Sequence, residues 1–129
     1  MERILSRFLF VALGAALGAN ARYIVGLWAA GRLGVSFPYG TLIVNVLGSL
    51  LLGFFVALAT DRLTLSPETR LFLAVGFLGS FTTFSSYAVE SVALLRDSSM
   101  GNTLVNILLN NLAALIAALS GGYLARLVG

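Results

Sequence analysis

Gly76-Phe77-Leu78-Gly79-Ser80-Phe81-Thr82-Thr83-Phe84-Ser85-Ser86-Tyr87 interrupts a long apolar run with glycines and a cluster of hydroxyl groups. Lipid supplies no hydrogen bonds to a freed backbone N–H or C=O. Non-helical backbone at membrane depth therefore persists only where protein or a water-filled cavity surrounds it. Channels and transporters use such interruptions to present carbonyls or helix N-termini to ions. The stretch predicts a broken membrane helix with an ion nearby.

The rest of the chain places that stretch in a bilayer. Of its 129 residues, 59% are hydrophobic and 10% charged, with a mean hydropathy of +0.99, whereas a soluble domain is charged at about 25% of positions. Spans of roughly 20 apolar residues fall at about 4–30, 39–59, 70–95 and 103–128. The fold class expected is therefore an all-α membrane protein with four transmembrane helices and a break in the third. The connections are too short for a soluble domain or a nucleotide site, so residues 1–129 read as a single transmembrane domain. The chain has no Cys and no His, which removes disulfides, thiolate chemistry and imidazole ligands. An enzyme is not expected.

The basic residues are all arginine, at positions 3, 7, 22, 32, 62, 70, 96 and 126. A net charge of +3 and a pI near 10.0 would point to nucleic acid in a soluble protein. Here most of the arginines sit at span ends, where they snorkel to the interface, and no nucleic-acid partner is expected. Arg3, Arg7, Arg62, Arg70 and Arg126 share one side of the membrane and Arg22, Arg32 and Arg96 the other. That bias is weak. Because Lys/Arg asymmetry sets orientation, the chain is free to insert both ways, and an antiparallel homodimer is allowed. Arg3, Arg7, the apolar Phe8 to Gly18 and Ala19-Asn20-Ala21 imitate a secretory signal. Cleavage is not expected, since it would strip one wall from a small bundle.

Each span carries a polar or small-residue line. Gly14 and Gly18 in the first form a small-xxx-small face, and Arg22 continues it by one turn. Arg22 reads either as a headgroup anchor or as the lining of an anion entrance. In the second span Thr41, Asn45 and Ser49 recur every four residues on one stripe. After the break, Phe84, Tyr87 and Glu90 lie on one broad helical face, with Ser86 and Glu90 one turn apart. A carboxyl well inside a span is costly unless it is paired, protonated or wet. Asn106 and Asn110 repeat the pattern in the fourth span, with Asn111 off their line. Interhelical hydrogen bonding accounts for these lines as well as pore lining does.

At membrane depth the inventory is mainly donors: amide NH2 groups, hydroxyls, one guanidinium and the positive edges of aromatic rings. That set suits an anion, which needs a succession of donors to replace its water. Backbone carbonyls freed from Gly79 to Thr82 have the opposite polarity and suit a cation, structural if it sits at a dimer centre.

The third-span segment, with Glu90 following, closely resembles the signature of the Fluc/CrcB fluoride channels. Gly40-Thr41 with Asn45 and Gly48 resembles that family's second span, and Gly14, Gly18 and Arg22-Tyr23 its first. The resemblance covers the whole chain. It implies an antiparallel, dual-topology homodimer in a prokaryotic cell membrane, exporting fluoride passively through two pores lined by both subunits. By position it implies Phe84 as the first pore-lining aromatic, with Tyr87 following. Asn45 becomes the second-span donor and Thr83 and Ser86 part of a polar track. Arg22 lies near the vestibule and Glu90 near the pore. Main-chain carbonyls of Gly79 and Thr82 hold a sodium ion. The chain departs from the family pattern at Ser86-Tyr87, where Thr-Phe is usual, and Tyr87 adds a phenolic donor. Asn106 and Asn110 fall where the family carries small or varied polar residues; a pore role for them, like that for Thr41, is read from their stripes.

Two other readings share the composition. A proton-coupled small multidrug or cation transporter is also a four-span, dual-topology dimer, although this first span carries Arg22 rather than a carboxylate. A non-transporting assembly subunit would use every polar stripe as glue.

Overall fold

The computed structural model describes residues 1–61 and 64–128; Arg62, counted above in the orientation bias, lies outside the described residues. Among the described residues the regular secondary structure is all helical. Helix α1 (Glu2–Leu33) is followed by α2 (Tyr39–Asp61), α3 (67–81), α4 (Phe84–Asp97) and α5 (Met100–Val128). Four helical segments, Glu2–Leu33, Tyr39–Asp61, Pro67–Asp97 and Met100–Val128, are long and apolar enough to cross a membrane. The chain is a multi-pass membrane protein.

Local chemistry extends these helices beyond the limits that hydropathy sets. Gly34, at φ 87°, closes α1 by donating its N–H to the Ala30 carbonyl, a conformation other residues adopt at a cost. Ser66 caps α3, accepting from Thr69 N–H at 3.2 Å, with Pro67 at the first helical position. Ser99 caps α5 in the same way, accepting from Asn102 N–H at 3.1 Å. The third apolar segment thus starts three residues before the expected Arg70, and the fourth at Met100 rather than Thr103. A hydropathy window stops at polar side chains that a capped helix readily includes.

Two features depart from regular α-helix. Leu71–Leu78 in α3 and Leu109–Ala113 in α5 are π-wound, a wider turn that often accompanies functional sites. Between α3 and α4, Thr82 (φ −84°, ψ 157°) and Thr83 (φ −151°, ψ 112°) have extended backbone.

Packing rests on glycine. A Cβ on Gly14 or Gly18 would overlap the carbonyl oxygens of Phe72 or Phe77, so α1 lies directly on the α3 backbone. Gly53 and Gly121 bring α2 and α5 together in the same way, against the Ala118 and Leu50 carbonyls. Close backbone approach of this kind drives association where lipid removes the hydrophobic incentive. Many buried positions are small or polar, among them Ala29, Val44, Asn45, Ser91, Thr103, Asn106 and Asn110, beside the larger Leu78, Phe81, Tyr87 and Leu94, while most Leu and Ile side chains lie outside.

Candidate functional site

The extended pair Thr82-Thr83 is held by a side chain from another helix. Asn45 on α2 accepts from Thr83 N–H through Oδ1 at 2.8 Å and donates from Nδ2 to the Thr83 carbonyl at 3.1 Å. The amide therefore pairs with Thr83 as a neighbouring backbone would. Its second hydrogen goes to Asn110 Oδ1 at 2.9 Å. Asn110 donates in turn to Asn106 Oδ1 at 3.0 Å, and Asn106 to Ser91 Oγ at 3.0 Å. Ser91 closes the chain by donating to the Tyr87 carbonyl at 2.8 Å. Every bond in this series runs the same way, from α2 through α5 back to α4. It ties both ends of the first turn of α4 to the bundle.

Clamping Thr83 changes the hydrogen bonding of the backbone around it. In a continuous helix Thr83 N–H would serve the Gly79 carbonyl and Ser86 N–H that of Thr82. Here Thr83 N–H goes to Asn45, and Ser86 N–H to Thr83 Oγ1 at 3.2 Å. The Gly79 and Thr82 carbonyls thereby lose their helical donors. The carbonyl of Ser80, between them, accepts from Arg22 Nε at 3.1 Å.

Two clefts meet at Thr83. One, of about 220 Å³, is lined by Asn45, Thr82, Thr83, Phe84, Tyr87 and Asn110, with Asn111. The Phe84 and Tyr87 rings meet edge to face there, centroids 5.3 Å apart, with Tyr87 buried and Phe84 75% exposed. The other, of about 470 Å³, is lined by Arg22, Thr41, Thr83, Ser86 and Glu90. In it Thr41 Oγ1 donates to Glu90 Oε1 at 2.7 Å, while Glu90 Oε2 has no partner among the described residues. The Thr83 hydroxyl donates to Ser86 Oγ at 3.0 Å, which leaves the Ser86 hydrogen for the cleft that Ser86 lines. A further open cleft, of about 560 Å³, continues from Thr41 and Glu90 toward Phe37, Asp97 and Ser98.

The structure thus divides the candidate residues. Asn45, Thr83, Phe84, Tyr87 and Asn110 gather at one cleft, and Arg22, Thr41, Thr83, Ser86 and Glu90 at the other. Asn106 lines neither; it is fully buried as a rung of the amide series. Asn45 lines a cleft, yet both its amide hydrogens are spent inside the protein. Ser49, on the same stripe, donates to the Asn45 carbonyl of its own helix.

Sequence reasoning missed Ser91 and Asn111. Ser91 lies one turn beyond Tyr87, a spacing that places its hydroxyl on the Tyr87 carbonyl. Asn111 falls off the Asn106/Asn110 line in a regular helix. The π-wound segment Leu109–Ala113 rotates the chain less per residue, and consecutive Asn110 and Asn111 line the same cleft.

Residues 9–122 match the model of a family described as CrcB-like protein, Camphor Resistance (CrcB). Among curated relatives, a Fluoride-specific ion channel FluC from Koribacter versatilis is 44% identical over 92% of this chain and 94% of its own length. Proteins of the same name from Chloroflexus aurantiacus and a Sulfurihydrogenibium species are similar too. The first is 46% identical over 97% of this chain and 93% of its own length. The second is 43% identical over 96% of this chain and all of its own.

Proposed function

We propose that this chain, which belongs to the CrcB-like family, is a fluoride-selective channel that lets fluoride leave the cytoplasm down its gradient. The relatives named as fluoride-specific channels match it over nearly their full length. The structural observation that carries the reading is the pair of clefts joined at Thr83. Phe84 and Tyr87 line one, and Arg22 and Ser86 line the other. Donors in succession on both sides of one residue provide for an anion that must shed water without being trapped.

The pore-lining groups under this reading are Phe84, Tyr87, Thr83, Ser86, Arg22, Thr41 and Glu90, with Asn45 and Asn110 holding the track in place. Phe84 is exposed in the single chain, at the edge of a small open cleft. A second copy covering that face would complete the path. The weak arginine bias fits an antiparallel, dual-topology homodimer, with two pores, in the cell membrane of a prokaryote. A structural sodium ion fits the Gly79 and Thr82 carbonyls, which lack helical donors; hard oxygen ligands of unwound membrane helices suit such an ion. Its charge would neutralise carbonyl dipoles brought together at the dimer centre.

Fluoride efflux from liposomes carrying the purified protein, read with a fluoride electrode beside a chloride control, tests the proposal. Rapid fluoride release without chloride release is expected. Silence from a folded, reconstituted protein would overturn it, and substrate-dependent proton flux would favour a coupled transporter acting through Glu90.

A further inference from the structure

We infer that Asn111 is a positioning residue that turns the Tyr87 phenol into a one-way hydrogen-bond donor for the permeating anion; the inference rests on the channel reading above. Asn111 Nδ2 lies 2.8 Å from the Ile107 carbonyl and 3.0 Å from Tyr87 Oη. The Ile107 carbonyl is an acceptor only, so it fixes which end of the Asn111 amide is NH2; a flipped amide would set oxygen against oxygen. With one amide hydrogen on Ile107, the other points to the phenol. A phenolic O–H has no acceptor on an NH2 group, so Tyr87 Oη accepts from Asn111 and its own hydrogen must go elsewhere.

No acceptor for that hydrogen lies within bonding distance among the described residues, although Tyr87 is only 9% exposed. The space it has is the cleft of about 220 Å³ that Tyr87 lines with Thr83 and Phe84. The other amides of that cleft do not compete for an anion. Asn45 spends both hydrogens on Thr83 and Asn110. Asn110 Nδ2 is engaged by the Asn106 carbonyl and the Asn106 side chain. Among the described residues the Tyr87 hydroxyl is thereby a donor without an acceptor, on a ring packed against Phe84. A neutral acceptor at position 111 would instead take the phenolic hydrogen and close the site.

A double-mutant cycle in the liposome efflux assay tests this. Tyr87→Phe keeps the ring and removes only the hydroxyl, and a hydrogen bond to a charged group lost in this way lowers fluoride efflux about tenfold. Asn111→Leu frees the phenol from its partner and is expected to cause a comparable loss. Added to Tyr87→Phe, Asn111→Leu should have little further effect, since there is no phenol left to orient, and chloride exclusion should persist throughout. Efflux of Tyr87→Phe equal to wild type overturns the inference while leaving the channel intact. So does an Asn111→Leu loss that is undiminished when combined with Tyr87→Phe, which would mark Asn111 as packing alone. Wild-type protein that releases no fluoride overturns the channel reading itself, and this inference with it.

Discussion

Replacing Asn45 by Asp exchanges one NH2 group for an oxygen and tests both the clamp and the path. In the wild type that NH2 group faces two acceptors, the Thr83 carbonyl at 3.1 Å and Asn110 Oδ1 at 2.9 Å. A carboxylate there would confront both with a third oxygen, while its partner oxygen still accepts from Thr83 N–H. Two acceptors are left unpaired in the protein interior, each costing about 1–3 kcal/mol, so a loss near 3 kcal/mol is expected. The added charge acts separately on flux. A negative charge about 4–5 Å from a passing anion, at an effective dielectric of about 20, raises its energy by about 3–4 kcal/mol. That corresponds to a slowing of more than about a hundredfold. Stability would be followed by circular dichroism during titration with a denaturing detergent, and flux by fluoride efflux from liposomes. Ser49→Ala serves as the control. Among the described residues its hydroxyl bonds only within α2, and a change below about 0.5 kcal/mol is expected. Asn45→Asp protein that unfolds with the wild type would refute the clamp, and unaltered fluoride efflux would remove Asn45 from the path.

Phe84→Ile is expected to abolish fluoride efflux while the assembly stays intact by size-exclusion chromatography, because the ring edge is lost and the apolar bulk is largely kept; wild-type efflux would take Phe84 out of the pore. Gly121→Ala should lower stability by about 1–3 kcal/mol, since its Cβ would overlap the Leu50 carbonyl and lie 2.8 Å from Phe54 N. Gly26→Ala, with no atom of another helix within 4 Å of the added carbon among the described residues, should stay within about 0.5 kcal/mol of wild type, and detergent titration of the two side by side checks the contrast. Thr41→Val removes the 2.7 Å bond to Glu90 and should cost about 1 kcal/mol; failure of Thr41→Ser to restore stability would show that the hydroxyl is not the cause.

How far the chain could be read beforehand differs between fold and site. Four apolar runs separated by short polar connections require four membrane helices, because lipid leaves a backbone no other way to satisfy its N–H and C=O groups. The helical period alone puts Thr41 and Asn45 on one stripe and Glu90 one turn from Ser86. Gly14 and Gly18, four residues apart, mark close approach before any partner is known. These are local properties, carried by neighbours in sequence.

The choice of hydrogen-bond partner is not local. Nothing in the stripe distinguishes Ser49, which turns back to its own helix, from Asn45, which reaches Thr83 and Asn110 across 38 and 65 residues. One candidate face is divided between two clefts because Thr83 is pulled into extended backbone by Asn45. Asn111 joins Tyr87 only because α5 is π-wound beside it. Periodicity determined which groups share a helix face. The crossing of α2 and α5, set by Gly53 and Gly121 far apart in the chain, and the side-chain bonds that tie α4 to them decided which donors are spent inside the protein and which remain for an ion.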